Sequence, residues 1–293
     1  MTDSIRVIHF PEQGRAELID EAAPECGAGQ ILVRTESSGV SNGTERHFLM
    51  GGPYGGSRWP CRCGYQIVGT VEQVGEGVEG YAVGDRVFSG VFRHHASHMV
   101  YDVADRDAPT HITAVLPPEV ESTHAALFGV GGVSMHDVRH VRTGVGDRVL
   151  VVGAGVIGQF AAQAAQALGA ETWLANPSAD RLEVARQCGV RHTIQITGDE
   201  TWEQLKAPGF DVVIEDSGAD VIDKILGTGM GSPGVMRSGG RLFLCAGRFD
   251  VTYSCGAAQA RRIEIYHTTH FKRDDLLQLI RLTAEGVVQV GPM

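Results

Sequence analysis

The sequence predicts an α/β protein built in two parts, a β-rich N-terminal domain followed by a doubly wound parallel sheet. Three observations predict it. Up to about residue 110, short apolar runs are separated by Gly, Pro and Asp turns. Beyond Leu116, strand-length runs alternate with helix-length ones, a rhythm that calls for a parallel sheet with helices on both faces. The first such strand runs into the glycine pattern Gly153-Ala154-Gly155-Val156-Ile157-Gly158, which opens an Ala-rich helix.

Taken in order, strands are expected at IRVIHF (5–10), GQILVRTESSGV (29–40), YQIVGTVEQVG (65–75) and GDRVFSG (84–90). Each is bounded by turn residues. The stretch 117–141 is expected to be helical, with Pro117 and Pro118 near its start. Strands then follow at 148–155, 171–176, 192–196, 211–216, 240–247 and 262–267. Helices are expected between them, and a last one from Asp274 to Glu285. A crevice between two such domains is the expected ligand site.

Composition narrows the functions. A net charge of −10 excludes a nucleic-acid surface, which needs clustered Lys and Arg. The apolar run from Val149 to Ala170 is no membrane span. Its glycine loop breaks it, and Gln159, Gln163 and Gln166 share one helical face. The segment after Met1 is polar, and the six cysteines have no framework spacing. Free thiols and a cytoplasmic location are therefore expected.

The glycine loop is the strongest chemical signal. Gly153 suits the tight turn, Gly155 close approach of a pyrophosphate, and Gly158 close packing of helix on strand. Amides around Val156 and Ile157, at the helix N-terminus, would face the phosphates. The next strand ends at Asn176, where an NAD site usually carries Asp or Glu. A neutral amide does not repel a 2′-phosphate, and Ser178 and Arg181 can hold one by hydrogen bond and charge. NADP(H) is thus preferred over NAD(H). Ser178 as a plain helix cap, with Arg181 solvated, is the alternative.

SSGVSNGTERHFL (37–49), GYQIVGTVEQVGEGVEGYAVGDRV (64–87) and GDRVLVVGAGVIG (146–158), in that order, resemble the medium-chain dehydrogenase/reductase family. The resemblance implies a GroES-like catalytic domain over residues 1–117 and a Rossmann domain over residues 118–293. The zinc ligands of metal-dependent members fall on Ser41, on Tyr65-Gln66 and near Phe128-Gly129, so no catalytic zinc is expected. The run SGVSNGTE is similar to the signature of a zinc-free subgroup that includes bacteriochlorophyllide dehydrogenase.

Without a metal, a hydroxyl or imidazole must polarise the substrate oxygen. Ser41, Thr44 and Tyr65 are the expected catalytic residues; turn caps and a wall residue are the plain alternatives. Arg46 falls where many zinc enzymes of the family keep a relay histidine. Glu45 is expected to make a structural ion pair or hydrogen bonds. His94, His95 and His98 are expected on a solvated loop entering a strand, with a metal site or proton relay the alternative. Cys61 and Cys63 are expected as small residues at a strand entrance, with metal binding the alternative. Phe48, Met50 and Trp59 would be either a substrate wall or barrel core.

By the same resemblance, Ser217 and Gly218 would touch ribose or nicotinamide, and Ala246 and Gly247 would lie near the nicotinamide. The implied partners are a small-molecule substrate and a second copy of the chain. That copy would pair through the edge strand RRIEIYHTTH (261–270). The family's return segment into the catalytic domain is expected to be short or missing, because the sequence stops at Met293. Three activities remain open: alcohol dehydrogenase or ketone reductase, enone or quinone reductase, and nucleotide binding without catalysis.

Overall fold

The computed structural model describes residues 3–52, 58–105, 112–247 and 250–293. The chain forms two compact units, residues 1–130 with 272–284, and residues 131–271 with 285–293.

In the first unit, β1 (Ser4–Glu12) and β2 (Arg15–Ala22) form an antiparallel ribbon. A five-stranded sheet is assembled from β3 (Gln30–Ser38), β4 (Ile67–Val74), β5 (Arg86–Ser89), β6 (His98–Asp102) and β7 (Thr113–Val115). Its order is β6-β3-β4-β5-β7, antiparallel throughout. The core alternates along the strands as a half-buried sheet requires. Val7, Ile31, Val33, Ile67, Val71, Val87 and Met99 fill it. Short helices α1 (Thr44–Met50) and α2 (Ser122–Ala125) lie in the connections, and α3 (Phe128–His140) starts at the end of this unit. The segment 272–284 also belongs here. In it, Arg273 donates to the Thr113 carbonyl at 2.5 Å.

In the second unit the strands are β8 (Arg148–Val152), β9 (Glu171–Asn176), β10 (His192–Gln195), β11 (Phe210–Glu215), β14 (Met236–Leu244) and β15 (Glu264–Tyr266). Between β11 and β14 a small hairpin forms from β12 (Gly227–Gly229) and β13 (Ser232–Pro233). The main sheet is parallel in the order β10-β9-β8-β11-β14-β15. The chain runs outward from β8 in one direction, then resumes at β11 in the other. That reversal is the topological switch of a doubly wound sheet, where ligands bind beyond the strand ends. Helices α4 (Val156–Ala167), α5 (Ala179–Gln187), α6 (Asp199–Lys206), α7 (Ile222–Leu226) and α8 (Cys255–Ala260) alternate with the strands. Helix α9 (Arg273–Ala284) is the part counted with the first unit.

The α/β class and the switch from antiparallel to parallel strands are as expected. Strands β2 and β7 were not foreseen. β2, RAELIDEA, is exposed or half-buried along its whole length and lacks the apolar alternation that marks a strand. β7 has three residues. The glutamine face of α4 also behaves differently from a solvated stripe. Gln159 and Gln163 are buried. Gln163 donates to the Gln289 carbonyl and accepts its N–H, clamping the C-terminal segment by a side chain acting as backbone. Among the described residues, no helix is long and apolar enough to cross a membrane.

Candidate active site

The glycine loop joins β8 to α4 at the sheet's switch point. Gly153 has φ of +112°, a conformation that disfavours any side chain, and a Cβ there would lie 2.9 Å from the Ser217 nitrogen. A Cβ on Gly158 would lie 1.8 Å from the Gly153 carbonyl oxygen, so only glycine permits this closeness. Gly155 differs: a Cβ there would meet nothing within 4 Å. The loop is therefore tight against its own sheet at Gly153 and Gly158 and open at Gly155. Gly155 is the N-cap of α4, and no side chain caps the helix. The Val156 and Ile157 amides sit in its first turn, where backbone donors and the helix dipole suit an anion.

Asn176 ends β9, buried, and its Oδ1 accepts the Ser178 N–H at 2.8 Å. Ser178 caps α5 by accepting the Arg181 N–H. The cap reading of Ser178 is thus realised, and its hydroxyl proton remains available to donate. Arg181 is exposed, with no ion-pair partner for its guanidinium among the described residues. These three residues lie beside one another at the β9–α5 turn.

The end of β11 carries two acids that sequence reasoning passed over. Glu215 is fully buried, and its Oε1 accepts from the Ser217 and Gly218 N–H groups at 2.9 and 3.1 Å, and from the Ser217 hydroxyl. It shapes the loop that holds Ser217 and Gly218. A Cβ on Gly218 would lie 3.6 Å from that of Ala246, so the two strand ends meet there. Gly247 follows, exposed. Asp216 lies under the glycine loop. Burial pushes its carboxyl up to about 7, against hydrogen bonds from Cys245 and the Gly158 amide that favour the charged form. Burial, with Asp137 and Asp216 beside it, raises the Cys245 thiol well above its ordinary range.

In the first unit, Ser41, Thr44 and Tyr65 come together although 24 residues separate the first from the last. Burial raises the Tyr65 phenol above its ordinary range, the Ser41 and Thr44 hydroxyls hydrogen-bond it and pull it down, and the negative charge of Glu45 adds to the rise. Ser41 also accepts the Thr44 N–H at 3.2 Å, so it caps the turn as well. Phe92 stacks on the Tyr65 ring at 5.8 Å, and Phe48 packs on Phe92 at 5.6 Å. Trp59 donates to the Phe48 carbonyl at 3.1 Å, and Met50 is exposed.

The histidines correct one expectation. His95 is buried, not solvated, and its Nε2 lies 3.4 Å from Glu45 Oε1. The expected loop closes onto β1, where Ile8 donates to the His95 carbonyl at 2.9 Å and Val7 bridges Ala96. His94 and His98 remain half-buried. Glu45, buried, accepts the Ser41 N–H at 2.9 Å. Arg46 is exposed.

A class follows from these two units: an antiparallel β-rich domain carrying two hydroxyls around a buried phenol, and a doubly wound parallel sheet with its glycine loop. Residues 27–134 match the alcohol dehydrogenase GroES-like domain, and residues 156–285 match the zinc-binding dehydrogenase family. The two matches run in order along most of the sequence, and the chain belongs to the medium-chain, zinc-binding dehydrogenase family.

Among its relatives is the 2-dehydro-3-deoxy-L-galactonate 5-dehydrogenase of Pseudoalteromonas atlantica, 29% identical over 222 residues, covering 65% of this chain and 63% of that protein. The L-threonine 3-dehydrogenase of Deinococcus deserti is 28% identical over 267 residues, covering 78% of this chain and 72% of that one. A putative zinc-binding dehydrogenase of Sinorhizobium meliloti, solved bound to NADP, superposes with a TM-score of 0.79 at 19% identity, covering 100% of this chain and 92% of that one. The chain thus spans roughly two thirds of the length of its sequence relatives.

The family's zinc is tested by the donors at the matched positions. Ser41 and Tyr65 offer hydroxyls. Gln66 is buried and committed, its Oε1 accepting the Val130 N–H at 3.0 Å in the first turn of α3. A Cβ on Gly129 would lie 2.4 Å from Gln66 Cγ, and Phe128 is core. Cys63 is buried and its thiol pushed up to about 12, chiefly by desolvation, which opposes the thiolate a metal needs. No group of three His, Cys, Asp or Glu among the described residues is placed to hold a metal ion. This donor set does not fit tetrahedral zinc.

Proposed function

We propose that this chain is a zinc-independent oxidoreductase that moves hydride between a nicotinamide dinucleotide, NADP(H) in preference to NAD(H), and a secondary alcohol or ketone. The observation that carries the reading is the convergence of Ser41 and Thr44 on the buried Tyr65 phenol, with Ser41 and Tyr65 at positions where the family resemblance puts metal ligands. The dinucleotide would lie along Gly153, Gly155 and Gly158, with phosphates on the Val156 and Ile157 amides. Asn176, Ser178 and Arg181 would meet the adenosine ribose, and Ser217, Ala246 and Gly247 the nicotinamide end. When bound, the cofactor supplies or accepts the hydride; the protein handles the proton and the charge on oxygen.

Tyr65 is protonated at neutral pH, as any phenol is and the more so for its burial, so it donates a hydrogen bond to a ketone oxygen. As negative charge develops on that oxygen the phenol gives up its proton, and Ser41 and Thr44 stabilise the phenolate left behind. Alcohol oxidation runs the same steps backwards. The zinc-free subgroup, a cytoplasmic location and a two-fold dimer through β15, one edge of the parallel sheet, belong to the same proposal.

The test is parallel titration with NADPH and NADH by nicotinamide fluorescence, followed by a panel of ketones and enones with the tighter cofactor. Ketone reduction supports the reading; cofactor binding without turnover on any panel member leaves a nucleotide-binding protein. Metal analysis of the purified chain should find well under one zinc per chain, with chelators leaving cofactor affinity unchanged. Tightly held stoichiometric zinc refutes metal independence.

A further inference from the structure

The proton chemistry assigned to Tyr65 needs a place for the proton to rest, and a buried pair behind it has the right makeup. Glu45 and His95 are each about 4% exposed. Glu45 Oε2 is engaged by the Ser41 N–H, but among the described residues Oε1 makes no hydrogen bond, and neither does either ring nitrogen of His95. The two unengaged groups face each other at 3.4 Å, Glu45 Oε1 to His95 Nε2. The ring is packed against the backbone just before Tyr65, since a Cβ on Gly64 would lie 3.0 Å from His95 Cδ2.

A carboxylate without a countercharge is costly at such burial, and so is an imidazolium alone. One proton on the pair makes it neutral; its loss leaves a single buried negative charge. Among the described residues, Tyr65 and Cys63 feel the Glu45 charge, and His94 feels His95. None of these supplies a positive charge that would fix the pair in one state at neutral pH: burial holds His94 below its ordinary range, and Arg62 and Arg93 lower it further.

We propose that Glu45 and His95 are positioning residues that act through Tyr65, storing the proton that the hydroxyl cluster exchanges with substrate. This rests on the hydride-transfer reading above. In alcohol oxidation two electrons leave with the C–H hydrogen as hydride, to the oxidised nicotinamide. The O–H hydrogen leaves as a proton, enters at Tyr65 and comes to rest on His95, held by the Glu45 carboxylate. Ketone reduction returns it. With His95 neutral, the Glu45 charge keeps the phenol a donor; with His95 charged, that hold is cancelled and phenolate is easier to form.

The experiment pairs histidine-ring NMR titration of the full chain with pH profiles of turnover. The His95 signal is assigned by its loss in His95→Asn. Glu45→Gln retains an oxygen for the Ser41 N–H but removes the charge. The His95 midpoint should then fall by about one pH unit or more, the pH profile of kcat/KM should move with it, and kcat should drop about 10- to 100-fold with cofactor affinity unchanged. Glu45→Asp, which restores the charge, should recover part of the loss. An unmoved His95 midpoint, or a loss in kcat with the profile's shape intact, overturns the proposal. A midpoint that shifts in a protein with no turnover upholds the proton pair and refutes the hydride reading instead, so the two failures are told apart.

Discussion

At the end of β8 the site is made by removing side chains. Gly153 and Gly158 let strand, loop and helix close on one another to distances no Cβ allows, while Gly155 leaves room above the helix N-terminus. Around Tyr65 the candidate site is made by side chains brought together: a buried phenol, carboxylate and imidazole with two half-buried hydroxyls in the β-rich unit. The first depends on backbone geometry over six consecutive residues. The second depends on residues 41 to 95 meeting in space. A backbone site fails all at once when a methyl is added at Gly153 or Gly158, whereas a side-chain site loses its functions one group at a time.

The comparison breaks first at the glycines. Gly158→Val should abolish NADPH binding and destabilise the fold, since even the first added carbon collides with the Gly153 carbonyl. Gly155→Ala should fold with a melting temperature close to the parent and weaken NADPH about tenfold, because its methyl fills only the open side. Equal binding by both variants would remove the glycine loop as the cofactor site. Tyr65→Phe should lower kcat about 100-fold or more with the cofactor Kd unchanged. Turnover within twofold of the parent would mean that the phenol is a wall.

Asp216 sharpens the contrast, being a buried acid in the backbone-built site. Its folded-state value of about 7 lies above the ordinary carboxyl value near 4, so the folded chain keeps a proton that the unfolded chain has lost between those limits. Stability from this group is full below about pH 4 and falls as pH rises toward 7, by up to about 1.4 kcal/mol per unit. Asp216→Asn should therefore narrow the difference in melting temperature between pH 5 and pH 8 by several degrees. An unchanged difference would show that Asp216 is already ionised in the fold. The smallest effect is expected at Arg181. Arg181→Ala should weaken NADPH about tenfold and NADH hardly at all, as the exposed guanidinium would meet only the 2′-phosphate. Equal losses would refute the assignment.

The glycine loop, the strand–helix alternation and the order of the two parts were legible in the sequence because each is written in consecutive residues. Periodicity and a turn signature need no tertiary contact to be recognised. Grouping Ser41 and Thr44 with Tyr65 needed the family resemblance, since nothing local links SNGT to GYQ. The buried acids Glu215 and Asp216 could have been suspected only from two consecutive acids closing the apolar run Val212-Val213-Ile214.

What the sequence by itself determined is the class: an α/β chain whose second part turns on a glycine loop at the head of a helix. Only the tertiary structure decided what its polar residues do. Gln66 and Gln163 look like surface amides, yet each is buried and replaces a backbone partner, one at the start of α3 and the other on the C-terminal segment. His95 looks like part of a solvated HHASH loop, yet it faces Glu45 across 3.4 Å inside the fold. The physical reason is common to all three. A polar side chain can be buried wherever a partner waits for it, and that partner lies 50 to 126 residues away.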